Sequence, residues 1–419
     1  MSRIDRRTLV ATTLATALGN IVRPSWGFAR ETEPDGHTGN VTTFGEDVTF
    51  VRRHAKVIVL SNPQSQARVA VCPDMQGRVL TSSAAGDAGA SFGWINHELI
   101  ASGKNNPQFN AFGGEDRFWL GPEGGQFGLY FKPGKPFDLQ NWCVPKPINE
   151  EPFEMAQRQK NRALFRKKMH VTNYSGTRFD IDLRREICLL TAEQIRTALS
   201  VALAPQVSAV AFQSDNRITN IGTSAWEKRS GLPSIWIIGM FRPSTSATVV
   251  IPIVPGDEDE LGPAVRHYFG QVPAERLTTT KSHIFFRGDG MQRGKIGVSR
   301  KRARPVMGSY DARSEVLTVV QYTLPRKATD YVNSTLEIQK APYDGDVVNS
   351  YNDGPLEPGG QPFGPFFELE TSSLAAKLKP GDSMRHVHRT FHFQGPKQHL
   401  DALSKAVLGV ELKEIEESL

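Results

Sequence analysis

The sequence predicts an all-β protein built from large stacked antiparallel sheets with few short helices. The 419 residues include 37 glycines and 27 prolines, and short apolar runs lie between them, a composition typical of strands joined by turns. Convincing helical spacing begins at only two places, Ala192 and Lys397. With 39% hydrophobic residues, a chain of this length can bury a large core without disulfides.

The N-terminus resembles a targeting segment. A positively charged start at 2–7 precedes the uncharged stretch 8–21, which is too short to span a bilayer comfortably. Small residues at 27–29 place signal cleavage before Arg30. We therefore expect residues 1–29 to be an export signal peptide.

The type of export signal and the domain boundaries are predicted next. The pair Arg6 and Arg7 is similar to a twin-arginine signal, and an ordinary secretory signal is the alternative. Residues 30–42 are polar and are expected to form a flexible leader, followed by a single domain over 43–419. The sequence thus predicts an exported bacterial protein, periplasmic or secreted.

Composition also limits the partners. No later segment has about 18 uninterrupted apolar residues, so no stable membrane insertion is expected after signal cleavage. The net charge of +6 arises partly from the basic runs 166–168 and 300–302. Because no recognition motif accompanies these runs, nucleic acid is not an expected partner. The sequence leaves the oligomeric state open.

Strand patterns are expected to begin near Val48, and two strands near the C-terminus carry the most chemistry. In 365–373, alternation places Glu368 and Glu370 on one face and Thr371 on the other. In 386–393, one face carries three histidines, namely His386, His388 and His392. If the strands are neighbours, two carboxylates and three imidazoles line one polar face, which is either a site or a solvated surface.

The glycine-rich stretch 112–127 has the ingredients of a carbohydrate site. Glycine allows close backbone approach, while charged and aromatic side chains supply hydrogen bonds and a stacking platform. The predicted sugar contacts are Arg117, Glu115, Asp116, Trp119 and Glu123, joined by Glu368 and by the turn residues Asn352 and Asp353. For Arg117, burial against a carboxylate is an equal alternative. For Trp236, in an apolar run, core packing is expected.

At this point the chain resembles the galactose mutarotase-like superfamily, whose aldose 1-epimerases have a β-supersandwich fold. The resemblance rests on strand order, on Thr172-Asn173 and Thr219-Asn220 before turns, and above all on Leu369-Glu370-Thr371. The run 113–125 is similar to one in uncharacterised exported bacterial members of this superfamily. The resemblance to those members covers nearly the whole mature chain. The resemblance implies that Glu370 is the catalytic base at the anomeric hydroxyl of a sugar.

Interconversion of anomers also needs an acid that protonates the ring oxygen. The histidine motifs that supply it in aldose 1-epimerases are missing from this sequence. His170 and the C-terminal His388 are the candidates that complete a predicted catalytic set with Glu370. The expected ligand is a sugar or an oligosaccharide, and no cofactor is expected.

Two other functions remain open. A non-catalytic glycan-binding or structural protein would use the same polar face for recognition alone. A metal-assisted polysaccharide lyase or glycoside hydrolase would use a divalent metal on His386, His388 and His392, because a two-residue spacing lets imidazoles on a strand share an ion. Glu368 and Glu370 lie about 7 Å apart, as in inverting glycosidases, although strand neighbours point in parallel.

Overall fold

Strands dominate the computed structural model of the protein, which describes residues 42–327, 329–356 and 359–419. The predicted signal peptide and all but the last residue of the predicted leader lie outside the described residues. The described strands are β1 (Ile58–Ser61), β2 (Arg68–Cys72), β3 (Arg78–Ser83), β4 (Arg117–Gly121), β5 (Glu154–Arg158), β6 (Arg162–Thr172), β7 (Arg178–Leu189), β8 (Ser208–Asn220), β9 (Ser234–Phe241), β10 (Ala247–Pro252), β11 (Arg266–His267), β12 (Leu277–Thr279), β13 (His283–Arg287), β14 (Gly294–Ser299), β15 (Val306–Asp311), β16 (Val316–Tyr322), β17 (Asp346–Asn352), β18 (Phe367–Ser372) and β19 (Ser383–Gln394).

Helices are few and short, as predicted. They are α1 (Phe44–Arg52), α2 (His97–Ser102), α3 (Lys146–Asn149), α4 (Ala192–Leu199), α5 (Glu258–Leu261), α6 (Lys397–Val407) and α7 (Leu412–Glu416). The start of a strand near Val48 was a wrong prediction, since that residue lies in α1. A capping box begins this helix: the Thr43 hydroxyl accepts a hydrogen bond from the Glu46 amide, and the Glu46 carboxylate accepts one from the Thr43 amide.

Within the described ranges the strands form two large antiparallel sheets and a small one. The ten-stranded sheet has the order β12-β13-β10-β15-β16-β19-β8-β7-β6-β5, and the six-stranded sheet has the order β11-β14-β17-β18-β9-β4. A three-stranded sheet, β1-β2-β3, completes the set. The predicted all-β fold of large antiparallel sheets is therefore confirmed.

The two C-terminal strands are not neighbours, so the predicted shared face of carboxylates and imidazoles does not exist. β18 lies inside the six-stranded sheet, whereas β19 lies inside the ten-stranded one. The sheets meet at the other face of β18, where the Thr371 hydroxyl lies 3.0 Å from Nε2 of His386 and 2.9 Å from Nδ1 of His388. Glu368 and Glu370 therefore point away from the histidines.

The outer face of the ten-stranded sheet is only partly covered. Apolar side chains of α6 and α7, among them Leu400, Leu403 and Leu412, pack on Val319 and Phe391 of the sheet. Apart from the buried Leu164 and Ala211, the outward residues of β6, β7 and β8 have no such cover and are exposed or half-exposed. In the part of the chain that the structure describes, no helix has both the length and the apolar character needed to cross a membrane.

Candidate functional site

One face of the six-stranded sheet concentrates ionisable side chains. Cross-strand pairing puts Lys295 of β14 opposite Tyr351 of β17, and Tyr351 opposite Glu368 of β18. In the next row, Ile238 of β9 pairs with Glu370 on one side and with Arg117 of β4 on the other. Residues that pair across strands share a face, so the register of five strands assembles this charged surface.

A cavity of about 150 Å³ opens over this face. Half of its lining residues are aromatic, namely Phe109, Trp119, Phe137, Trp142, Trp236, Phe269, Tyr351, Phe363 and Phe366. Its charged lining residues are Arg117, Glu123, Asp138, Arg293, Lys295 and Glu368. Aromatic walls with a few convergent polar groups are the usual make-up of a small-molecule site.

Glu370 is fully buried and does not line this cavity itself, but it contacts two residues that do. Its Oε2 accepts a hydrogen bond of 2.9 Å from the Trp236 indole and lies 3.4 Å from the Lys295 ammonium. Its Oε1 has no hydrogen-bond partner. Burial raises the pKa of Glu370, while Lys295 and the indole act in the opposite direction.

Glu368 lines the cavity and pairs with Arg117, whose Nη2 lies 3.2 Å from its carboxylate. Burial raises the pKa of Glu368, and Arg117 offsets only part of that effect. Arg117 is itself 2% exposed, with its guanidinium 3.9 Å from the centre of the Trp119 ring. Two further nitrogens of that guanidinium, Nε and Nη1, have no hydrogen-bond partner.

Glu123 closes the charged cluster on the side of Trp142. Its carboxylate accepts a hydrogen bond of 2.9 Å from the Trp142 indole and lies 3.6 Å from the Lys295 ammonium. Lys295 thus stands between Glu123 and Glu370, and these carboxylates raise its pKa against the opposite effect of burial. The lysine remains a cation at neutral pH as a result.

Asn352 and Asp353 lie at the end of β17 and hold the backbone around the site. Asp353 accepts hydrogen bonds from the Tyr351 hydroxyl at 2.7 Å and from the Gly364 amide at 2.8 Å, and burial raises its pKa to about 6. The Asn352 side chain donates to the carbonyl of Gln292 and accepts from the Gly290 amide. Neither residue lines the cavity in the described structure.

Three predicted site residues lie on the far side of the six-stranded sheet, in the interior between the sheets. Glu115 accepts hydrogen bonds from Ser82 and lies 2.8 Å from Nε2 of His392. Asp116 forms a fully buried ion pair of 2.5 Å with Arg185. His388 contacts Thr371, and burial lowers its pKa to about 4.

The remaining predicted residues do not meet at the cavity either. His170 is exposed on the outer face of β6, opposite Asp180 of β7. The imidazoles of His386 and His388 share Thr371, whereas His392 contacts Glu115 and Thr318. Among the described residues, no group of three or more His, Cys, Asp or Glu side chains is arranged to hold a metal ion.

Sequence reasoning missed two central residues of the cavity. Lys295 stands between Gly294 and Ile296 in a strand whose residues are all buried, and a single lysine in such a strand signals a buried ionic partner. Trp236 was expected in the core, but its side chain points to the cavity face of β9, as that of Ile238 two residues later does. Its indole therefore reaches Glu370. The apolar run correctly predicted burial, at 5% exposure, but not the polar partner.

Comparison with known sequences decides the family. The profile of a family of unknown function, DUF6786, matches residues 42–419. The chain belongs to this family. No curated protein is significantly similar to this DUF6786 member.

Solved structures similar to this DUF6786 member include proteins of the kind that the sequence resemblance predicted. A putative aldose 1-epimerase from Escherichia coli K12 has 12% identity and a TM-score of 0.49, over 81% of this chain and 99% of its own. The Slr1438 protein from Synechocystis sp. has 14% identity and a TM-score of 0.47, over 82% and 96%. A galactose mutarotase related enzyme from Lactobacillus acidophilus has 10% identity and a TM-score of 0.43, over 81% and 98%.

Proposed function

We propose that this protein is an exported carbohydrate-active protein that binds a sugar in the cavity over the six-stranded sheet. The observation that carries the proposal is a set of unpartnered polar atoms beside aromatic walls. Nε and Nη1 of Arg117 lack acceptors, and Oε1 of Glu370 lacks a donor. Buried polar atoms without partners are costly, and a ligand that both donates and accepts hydrogen bonds would satisfy them.

A sugar has the required chemistry. Each hydroxyl donates one hydrogen bond and accepts others, so a single ring can serve both a guanidinium and a carboxylate. The apolar faces of the ring would pack on aromatic walls such as Trp119 and Trp142. A cavity of about 150 Å³ suits one sugar ring better than a long oligomer.

The charge of the cluster supports acid–base chemistry on the bound sugar. Three buried carboxyls, on Glu123, Glu368 and Glu370, face two buried cations, on Arg117 and Lys295. Because burial raises the pKa of Glu368 and of Glu370, we infer that these two carboxyls retain one proton between them near neutral pH. A carboxyl pair that shares one proton can exchange it with a ligand hydroxyl.

We assign the general base to Glu370, in line with its position in the Leu-Glu-Thr strand. The carboxylate would take the proton of the anomeric hydroxyl while an acid protonates the ring oxygen. The bond from the anomeric carbon to the ring oxygen then breaks, the open-chain aldehyde forms, and closure on the other face gives the other anomer. Glu368 is the acid that the geometry favours, since it lines the cavity and its pKa is raised.

The test is anomer exchange measured by NMR exchange spectroscopy with D-glucose, D-galactose, D-mannose and D-xylose. We expect acceleration by the wild-type protein, loss of at least about tenfold in Glu370→Gln, and wild-type rates in the exposed control Glu417→Gln. A Glu370→Gln protein with full activity would remove the assignment of the base.

Non-catalytic sugar recognition is the second candidate function, and the complete burial of Glu370 favours it. In that case the sugars would bind, as measured by calorimetry, without faster anomer exchange. Equal loss of binding in Glu370→Gln and Arg117→Lys would then describe a recognition site.

A further inference from the structure

Four arginines stand in one row across the outer face of the ten-stranded sheet. Arg166 of β6 pairs with Arg184 of β7, Arg184 pairs with Arg217 of β8, and Arg217 pairs with Arg385 of β19. Pairing in register puts all four side chains on one face, and all four are exposed or half-exposed. We call this set the arginine row.

Two members of the arginine row have no partner within the described part of the chain. Arg184 lies 3.0 Å from a carboxylate oxygen of Glu186, and Arg385 donates two hydrogen bonds of 2.7 Å to Asp215. For Arg166 and Arg217, the described residues supply neither an ion pair nor a side-chain hydrogen bond. Arg166, at one end of the row, and Arg217, next to the other end, therefore present free guanidinium groups to solvent.

Such a row works against stability in the free protein. Like charges directly opposite each other on neighbouring strands are destabilising, and here three consecutive pairs are arginine opposite arginine. Adjacent strands lie about 4.8 Å apart, so a positive charge recurs at that interval across four strands. A bound line of negative charges would relieve this repulsion.

The arrangement of charged residues around the arginine row indicates which kind of ligand it fits. On β7 and β8 the row is one residue wide, because carboxylates follow at two-residue spacing: Asp182 on one side, and Glu186 and Asp215 on the other. On β6 the exposed Lys168 adds a second positive charge beside Arg166. A flat anionic membrane would meet those carboxylates and be repelled. A narrow positive line fits a linear polyanion instead.

Nucleic acid fits this face poorly. Proteins that bind single strands on a sheet stack the bases on aromatic side chains. The exposed and half-exposed residues of β6, β7, β8 and β19 include no Phe, Tyr or Trp. We propose that the arginine row binds a linear anionic polysaccharide through its carboxylate or sulfate groups.

The choice of a sugar polymer rests in part on the proposed function, whereas the choice of a polyanion rests on the row alone. The experiment measures binding of the full chain at low ionic strength to polygalacturonate, heparin and neutral dextran. The row variant is Arg166→Gln/Arg217→Gln. The matched control, Arg53→Gln/Arg229→Gln, removes two exposed positive charges outside the row.

We expect binding to polygalacturonate or heparin but not to dextran, and about a tenfold loss in the row variant only, since each exposed ion pair contributes modestly. Polygalacturonate alone would indicate carboxylates, and heparin alone would indicate sulfates. Equal losses in the row variant and the control would overturn the proposal, because net charge would then explain the binding. Absence of binding to both acidic polymers would overturn it as well.

Two further probes test the class of partner and the independence of the two proposals. Row-dependent binding of poly(dT) or of phosphatidylglycerol vesicles, tighter than that of either polysaccharide, would contradict the assignment to a sugar polymer. Glu370→Gln should bind the acidic polymer as tightly as the wild type does. If the polymer binds through the row while no sugar binds the cavity, the proposed function fails and the arginine row stands.

Discussion

The indole of Trp236, on β9, donates a 2.9 Å hydrogen bond to the carboxylate of Glu370, on β18. These two strands are neighbours in the sheet, where Ile237 lies opposite Thr371. Glu370 has no exposed surface, so this bond and the Lys295 ammonium are what stabilise its charged form. A hydrogen bond to a carboxylate contributes about 1.5–3 kcal/mol, enough to influence whether the group is ionised. Trp236 is therefore a positioning residue for the proposed base.

Replacement of the indole donor should change the ionisation of Glu370. Trp236→Phe keeps an aromatic ring near Lys295 but removes the hydrogen bond to the carboxylate. Because a hydrogen bond to the charged form lowers a carboxyl pKa, we expect the pKa of Glu370 to rise further in this variant. Carbon-13 NMR of glutamate-labelled protein measures it directly. Trp142→Phe, which removes the donor to Glu123 instead, is the matched control, and an unchanged Glu370 pKa in Trp236→Phe would contradict the expectation.

Loss of the buried cation should be strongly destabilising. Lys295→Met leaves Glu370 and Glu123 without their shared partner, and we expect unfolding free energy to fall by about 3–5 kcal/mol. Addition of Glu370→Gln to Lys295→Met should restore part of the loss, since a neutral amide tolerates burial better than an unpaired charge. Urea unfolding of the single and double variants gives the coupling energy. Simple additivity would mean that the two side chains do not interact.

The histidines between the sheets should make the protein sensitive to acid. Burial lowers the pKa of His386 to about 3 and that of His388 to about 4, from an ordinary value near 6.5. Between pH 6.5 and 4 the unfolded chain takes up protons that the folded one does not, so stability falls as the pH falls. The slope is at most about 1.4 kcal/mol per pH unit for each histidine.

Urea midpoints measured from pH 7.5 to 4.5 check this dependence. His386→Gln should flatten the slope, whereas His170→Gln, on the exposed outer face, should leave it unchanged. A His386→Gln protein with the wild-type slope would show that other groups cause the acid sensitivity.

Alternation along single strands was the reliable part of the sequence analysis. It correctly placed Glu368 and Glu370 on one face of their strand and the three histidines on one face of theirs, because side-chain direction in a strand has a period of two. The scarcity of helical spacing also correctly predicted few helices. The helix over Phe44–Arg52 was missed although Thr43 and Glu46 carry a capping-box signature.

Strand order could not be obtained from local patterns. Glu115, Asp116 and Arg117 are consecutive, yet Arg117 faces the cavity while its two neighbours contact groups between the sheets. The pairing of β18 with β9 and β17, rather than with β19, is a property of long-range packing. For the same reason Lys295, 75 residues before Glu370 in the chain, emerged as its partner only in three dimensions.

Saturation-transfer difference NMR on the wild-type protein and Arg117→Lys tests sugar binding in the cavity most directly. The probes are D-glucose, D-galactose, D-mannose, D-xylose and D-galacturonate. Arg117→Lys keeps the positive charge near Glu368 but removes the planar donors that lack partners. We expect at least one of these sugars to bind the wild type and to lose most of its signal in Arg117→Lys. No binding by any of them, or equal binding by both proteins, would contradict a sugar site at this cavity.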